Sequence, residues 1–460
     1  MSYNCSLIYV ILEYGGKMSD DNSKYIPGTD LVKFEYVQSG LAYTRVTTSR
    51  YNGEAMQKLM DKAFIQHPDF YLSGLFNAYV EKGVTRVLDR FNFHEIHVDS
   101  GGLQMALQNK QITPEFKREI YQTQGQWGTI AMCFDEIPLY VRELIKSESS
   151  SNRTRIDNKL YLPELAKEKA EHTGRNVNEQ LRILKDMGSK CKVMMIAQGN
   201  KAEDFAEFIE TQYAQIDPDL RDGIKGIALA DTCIGNGVME SVEMLHGLKL
   251  INIPKQYKTH VHLLGVGSLT RMMPVIELVR SGFLDHDLHV SIDSTSHTSA
   301  YVMGKLIDID GRMTSLGTGP SEDNIRLFTD IYNDYMREFY GDSYRDDYIK
   351  FMTTNLRGST HIHQKDTLGD MAYLTYSFAP LIYVKRFMLA MNDCRKSFDN
   401  YHKYMKNKEK LISAMYQLSK VKTLDDMEEF KQRLGPYVDS KRIPRKSEGV
   451  NKQITMDDFF

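Results

Sequence analysis

Acidic and amide side chains recur in this chain directly after short apolar runs. Asp99 follows EIHV, Asp135 follows TIAMCF, Gln198 follows KVMMIA, Asp231 follows GIALA and Asp293 follows HVSI. A sixth run, HLLGVG, presents Leu264 and Gly265. Carboxylates gathered at one place repel one another, which costs stability unless they perform a task. Two of them can serve as nucleophile and as general acid and base at a glycosidic carbon. Each Asp taken singly reads better as a cap for the helix that follows it. The joint pattern argues for chemistry.

The elements that must position these residues alternate along the chain from about Glu95 to Asp293. EIHVDSGG, GTIAMCFDE, KVMMIAQG, IKGIALAD, THVHLLGVG and LHVSID read as strands. NVNEQLRILKDMG, AEDFAEFIETQYAQI, VMESVEMLHGLK and RMMPVIELVRSGF read as helices, with apolar residues at three- and four-residue steps. Such alternation builds a parallel sheet covered by helices. Six strands in one stretch, with more expected before Glu95, predict an α/β fold, a closed (β/α)8 barrel with a helical C-terminal extension. In that fold the working residues sit at the C-terminal ends of the strands. No GxGxxG follows any strand, which weakens a dinucleotide-binding alternative.

The barrel is expected over residues 1–315, with later barrel helices beyond, and a mainly helical part over 316–435. SEDNIRLFTDIYNDYMREFY and the stretch from MAYLTYSF to NDCRKSF are its clearest helices. Residues 436–452 carry two Pro, a Gly and many charges, and read as a flexible basic linker to the terminal segment 453–460. The 460 residues are 42% hydrophobic and 26% charged, which fits a soluble globular chain. With a net charge of −3, nucleic-acid contact must come from local patches. Candidates are Arg153, Arg155 and Lys159, and the run Lys441, Arg442, Arg445 and Lys446. Five scattered Cys without a CxxC, no membrane-length apolar run and no basic n-region at the start predict a cytoplasmic home, in a host cell if the chain is viral.

The last eight residues, QITMDDFF, resemble a sliding-clamp-binding peptide. Gln453 would be the polar anchor, and Met456, Phe459 and Phe460 the apolar plug in a groove on a replication clamp. If so, the substrate is DNA.

Within the barrel, DSGGLQ (Asp99 to Gln104), Phe134-Asp135-Glu136, Gln198-Gly199, Leu263-Leu264-Gly265-Val266-Gly267 and Asp293 come in an order that resembles the tRNA-guanine transglycosylase superfamily. The resemblance covers about residues 90 to 300. It implies a glycosyltransferase of the pentosyltransferase kind that exchanges guanine for a 7-deazaguanine, a small preQ0-like base. Asp293 would attack the sugar C1′ and hold the sugar covalently, and Asp99 would transfer protons. Asp135 would accept from the guanine N1–H and amino group, and Gln198 would read the O6 edge. Ser100, Leu103, Ala230, Asp231, Leu264 and Gly265 would line the base site. No organic cofactor is implied, and a homodimer is allowed.

The departures from the family pattern are informative. The aromatic residue after DSGG is Leu103, a Gly-Gly that contacts the base is Ala230-Asp231, and the Pro-Thr-Arg after the nucleophile is His297-Thr298-Ser299. The family's zinc cysteines are absent. His361, His363 and Asp366 stand in their place, with Asn392, Asp393 and Cys394 at the later spacing, so an altered zinc site and a lost one are both open. A second His-x-His, His260 and His262, shares one strand face and is read as packed rather than ligating. With the tail, these changes favour the DNA-acting branch known from phages and mobile modification systems. An RNA-acting enzyme and a non-catalytic partner subunit are the alternatives.

Overall fold

Eight parallel strands close into a barrel in this computed structural model, which describes residues 33–39, 70–79, 88, 91, 93–102, 112–141, 159–161, 163–230, 237–294, 297, 300, 305–307, 313–315, 367–405 and 408–438. The strands are β1 (Lys33–Ser39), β2 (Phe70–Asn77), β3 (Ile96–Asp99), β4 (Ile130–Met132), β5 (Lys192–Gln198), β6 (Ile224–Ala230), β7 (His260–Leu264) and β8 (His289–Ile292). Each pairs with its neighbour in chain order, and β1 closes the ring on β8 with Lys33 opposite His289 and Tyr36 opposite Ile292. The expected barrel is therefore present, with two strands before Glu95.

The intervening helices are α1 (Pro114–Trp127), α2 (Pro163–Asp186), α3 (Ala202–Ala214), α4 (Val238–Leu250) and α5 (Leu269–Ser281). α2 begins well before the expected NVNEQL segment. Side chains on one face of α3, including Phe205, Phe208 and Ile209, are buried. Each such side chain stabilises the fold by about 1.5–3 kcal/mol. Thr113 and Ser268 cap α1 and α5 through their hydroxyls, and Gly282 ends α5 in the left-handed conformation. Two antiparallel ribbons leave the loops after β4 (Leu139–Val141 with Lys159–Tyr161) and after β8 (Lys305–Ile307 with Met313–Ser315).

Beyond β8 come α6 (Thr367–Lys396), α7 (Asn400–Tyr404), α8 (Glu409–Leu418) and α9 (Leu424–Val438). α6 packs on β1 and α5, which is the place of the eighth barrel helix. α8 packs on α5, and α9 on α4. One apolar core runs from barrel residues such as Val290 through Phe387 and Met391 of α6 to Met415 and Phe430, so these helices share the barrel's core. Among the described residues no helix is long and apolar enough to cross a membrane.

Strand alternation sorts each strand into an inner and an outer set. On β1, Tyr36 faces outward, edge-to-face with Phe387 of α6, while Glu35 faces inward. By the same parity His97 and Asp99 of β3, His260, His262 and Leu264 of β7, and His289, Ser291 and Asp293 of β8 form inward files. The inner files of β3, β7 and β8 are thus rich in polar groups, where a barrel of this kind is usually filled by branched apolar side chains, while the same registers turn Ile130, Met132, Met194 and Ile196 of β4 and β5 inward.

Candidate active site

The mouth of the barrel gathers Asp99, Asp135, Gln198 and Asp293. Asp99 ends β3, and Asn77 at the end of β2 donates from Nδ2 to its Oδ2 at 2.8 Å. Asp99 and Asn77 are register partners, so the hydrogen bond ties two adjacent strand ends. Burial pushes the Asp99 carboxyl up to about 7, helped by the charges of Asp135 and Asp293, against the backbone amides of Gly101 and Ser100. Gly101 has φ 76°, and a Cβ there would lie 2.7 Å from Tyr79 Cβ and 2.9 Å from Asn77 Oδ1. Glycine is required at that turn both by its backbone and by the closeness of Asn77.

Asp135 follows β4. Gln198, at the end of β5 and buried, donates from Nε2 to Asp135 Oδ2 at 2.6 Å. Burial pushes Asp135 up to about 6, partly offset by that Gln198 bond. Helix α2 holds the loop from behind. Asn176 donates to the Phe134 carbonyl at 3.0 Å, and Thr173 Oγ1 accepts the Glu136 N–H at 2.9 Å. The Glu136 side chain turns to α2, where it accepts from Lys169 and His172, each at 3.1 Å. Of this adjacent pair of acids, Asp135 serves the mouth and Glu136 fastens the loop.

Asp293 lies just past β8. Its Oδ1 accepts the Gly265 N–H at 2.9 Å and faces His262 Nε2 at 3.2 Å. Gly265 has φ 72°, which aims its N–H at the carboxylate at no Cβ cost. Arg271 of α5 is buried and donates to the Gly265 carbonyl at 2.9 Å. A carboxylate only accepts, so His262 Nε2 carries a proton, and Nδ1 lies within hydrogen-bond distance of Ser291 Oγ at 2.9 Å. Among the described residues these donors all engage Oδ1, and the second oxygen is left for the mouth.

Ala230 sits beside Gln198 in register and Leu264 beside Ala230, so both lie at the same level of the wall. Ser100 is buried, and its Oγ accepts the Gly102 N–H at 3.3 Å. Leu103 and Asp231 lie outside the described residues. So do His361, His363, Asp366, the terminal Gln453, Met456, Phe459 and Phe460, the basic residues Arg153, Arg155, Lys441, Arg442, Arg445 and Lys446, and the helical segment expected from Ser321. Of Lys159, the structure describes only the backbone, in the first ribbon.

His297 faces away from the mouth. It is buried between β1 and α6, with Nδ1 2.7 Å from the Tyr36 hydroxyl, and burial pulls it down to about 3. A neutral core imidazole does not meet a nucleic acid. Of the zinc candidates His361, His363, Asp366 and Cys394, only Cys394 lies within the described residues. It is fully buried in the apolar core, burial pushes its thiol up, and Asp393 and Glu277 add to that. Asp393 instead accepts from the Tyr404 hydroxyl at 2.5 Å, and Asn392 Oδ1 from Arg395 at 2.7 Å.

Sequence reasoning missed two residues that hold the carboxylates, Asn77 and His262. His262 is packed, as expected, but it is also bonded to Asp293. Its parity with Leu264 was the available signal. Asn77 carried none, because only the register of the β2–β3 pairing puts it beside Asp99. No protein-family model matches the chain, and no curated protein matches it.

Proposed function

We propose that this chain is a base-exchanging transglycosylase that replaces guanine in DNA with a 7-deazaguanine. The observation that carries the reading is the contrast between two carboxylates at one barrel mouth. Asp99 is half-buried at the mouth and its carboxyl is pushed up to about 7, so it holds a proton near neutrality. Asp293 has two donors on one oxygen and presents the other. Pairs of carboxyls whose surroundings differ in this way divide into acid and nucleophile.

In the first half-reaction Asp293 Oδ2 forms a bond to C1′ as the C1′–N9 bond breaks. The electron pair leaves with guanine, and Asp99 supplies the proton that neutralises it. In the second, the incoming 7-deazaguanine gives its N9 proton to Asp99, N9 bonds to C1′, and the Asp293 ester bond breaks. No strand is cut and no redox partner is needed. Asp135 and Gln198, 2.6 Å apart, supply an acceptor for the base's N1–H and amino group beside a donor for O6. A base lacking those groups would leave buried polar atoms unpaired.

DNA is favoured over RNA by sequence features: the terminal QITMDDFF and the absence of an arginine in His297-Thr298-Ser299. A duplex guanine must be flipped out to reach the mouth. A sliding clamp would raise the enzyme's local concentration on new DNA. Nucleoside mass spectrometry of DNA and tRNA from cells supplied with a deazaguanine tests the substrate. The modified nucleoside is expected in DNA. Its appearance in tRNA alone would establish the RNA-acting alternative, and its absence from both would end the reading.

A further inference from the structure

The floor of the barrel, at the opposite end from the carboxylate mouth, holds a second polar cluster that base exchange does not use. Glu35 of β1 is fully buried there. His289 Nε2 lies 2.6 Å from its Oε2, and His97 Nε2 3.1 Å from its Oε1. His260 Nε2 is 3.9 Å from the same Oε2, and its ring stacks on that of His289 at 4.2 Å. One ring nitrogen each of His260 and His289 and a carboxylate oxygen of Glu35 all lie within 4.8 Å of one another.

We propose that Glu35, His260 and His289 bind a first-row divalent cation, of which zinc is the model, and that this ion clips the barrel shut. Zinc takes imidazole and carboxylate ligands at about 2.0–2.2 Å, and three protein ligands leave a fourth position for water. To take the ion, the His289–Glu35 pair opens from its 2.6 Å contact to about 3.3–3.5 Å, and His260 rotates out of its stack on His289 to aim a ring nitrogen at the same point. His97, on the other oxygen of Glu35, would hold the carboxylate's orientation, as outer partners of metal ligands commonly do.

Two further observations support an ion over plain packing. His260 is 3% exposed; its Nε2 lies 3.2 Å from Ser291 Oγ, while its Nδ1 has no hydrogen-bond partner, so this imidazole is incompletely satisfied by its neighbours. A buried polar atom left so costs about 1–3 kcal/mol unless another state of the site uses the ring. The ring stack also supplies a route in. Tyr71 and His94 stack at 3.8 Å beside His289, whose side chain is 22% exposed. Water and a cation can reach the cluster past His289.

The location gives the ion its role. The ligands come from β1, β7 and β8, and β1 pairs with β8 at the seam where the first strand meets the last. More than two hundred residues separate Glu35 from His260, so the seam closes a long loop. Linking its ends offsets the entropy of that closure, and affinity for the ion becomes stability of the fold.

The test uses the tag-free full chain, stripped with chelator and then given zinc or cobalt. One zinc per chain should remain after gel filtration, cobalt should give the visible bands of a four-coordinate site, and zinc should raise the melting temperature. His289→Ala should lose the zinc and the melting shift, while His402→Ala, whose side chain is exposed, should keep both. If His289→Ala does not fold, His289→Gln, which keeps a hydrogen bond to Glu35 but ligates zinc poorly, takes its place. A stripped wild-type protein that retains no zinc and melts at the same temperature with and without it would overturn the proposal, leaving Glu35 a carboxylate neutralised by its histidines. Undiminished zinc binding by a folded His289→Ala would overturn it too.

Discussion

His262 Nε2 lies 3.2 Å from Asp293 Oδ1, one strand over, and the parallel pairing of β7 with β8 is what brings the two together. The imidazole is itself oriented by Ser291 Oγ on its other nitrogen. The carboxylate is thereby fixed in rotation with one oxygen engaged and one presented. This is preorganisation of a nucleophile by a positioning residue.

Replacing His262 with Leu should lower kcat about 10- to 100-fold, the worth of one hydrogen bond to a charged group. His262→Gln, which can still donate, should recover part of the loss. The KM for the free base should change little in both, because His262 lies behind Asp293. Equal loss in Leu and Gln variants would mean that His262 only fills space.

Asp99 sets a pH dependence of rate. Asp99 acts protonated when guanine leaves, so base release should fall as pH rises through about 7. Asn77 donates to Asp99 Oδ2, which favours the ionised form. Asn77→Ala should therefore move the alkaline limb of the rate profile to higher pH. A profile unchanged in Asn77→Ala would show that Asp99 does not govern that limb.

The same carboxyl sets a pH dependence of stability. The unfolded chain gives up this proton near the ordinary value of 3.8, the folded chain near 7, so stability is lost as pH rises across that window. At roughly 1.4 kcal/mol per unit, the cost above pH 7 is on the order of 4 kcal/mol at most. Asp99→Asn removes it. This variant should be inactive yet melt higher than wild type at pH 8, with a smaller difference at pH 5. An Asp99→Asn protein no more stable at pH 8 would contradict the burial assigned to this group.

The barrel and most of its mouth were legible because one rule, strand then helix, places every strand end at the same rim. Asp99, Asp135, Gln198 and Asp293 stand at four such ends and do meet there. Asn77, His262 and Glu35 were hidden for a physical reason. Their partners lie on neighbouring strands, and pairing registers such as Asn77 opposite Asp99 exist only once the strands pair. The place of His297 was not legible either, because a position after a strand can turn outward as easily as inward, and here Tyr36 and Phe387 enclose it. α2 starts early because the stretch from Pro163 has its own helical run with Glu164 in the first turn, a weaker pattern than NVNEQL.

Base selection rests on Asp135. Asp135→Asn places a second amide donor against Gln198 Nε2 and against the guanine N–H groups. Exchange should fall by about 100-fold or more, as expected when a buried acceptor is lost, with DNA affinity within a few-fold of wild type. Unchanged affinity for free guanine would show that Asp135 does not read the base.

The covalent role of Asp293 is the centre of the account. Incubating the wild-type chain with a guanine-containing oligonucleotide and labelled guanine should exchange the label into DNA. Denaturation during turnover should trap a protein–DNA adduct at Asp293. Asp293→Asn keeps the shape and its place beside Gly265 but lacks the charge that attacks C1′, so it should give neither exchange nor adduct while melting as a folded protein. Exchange or adduct formation undiminished in Asp293→Asn would contradict the account.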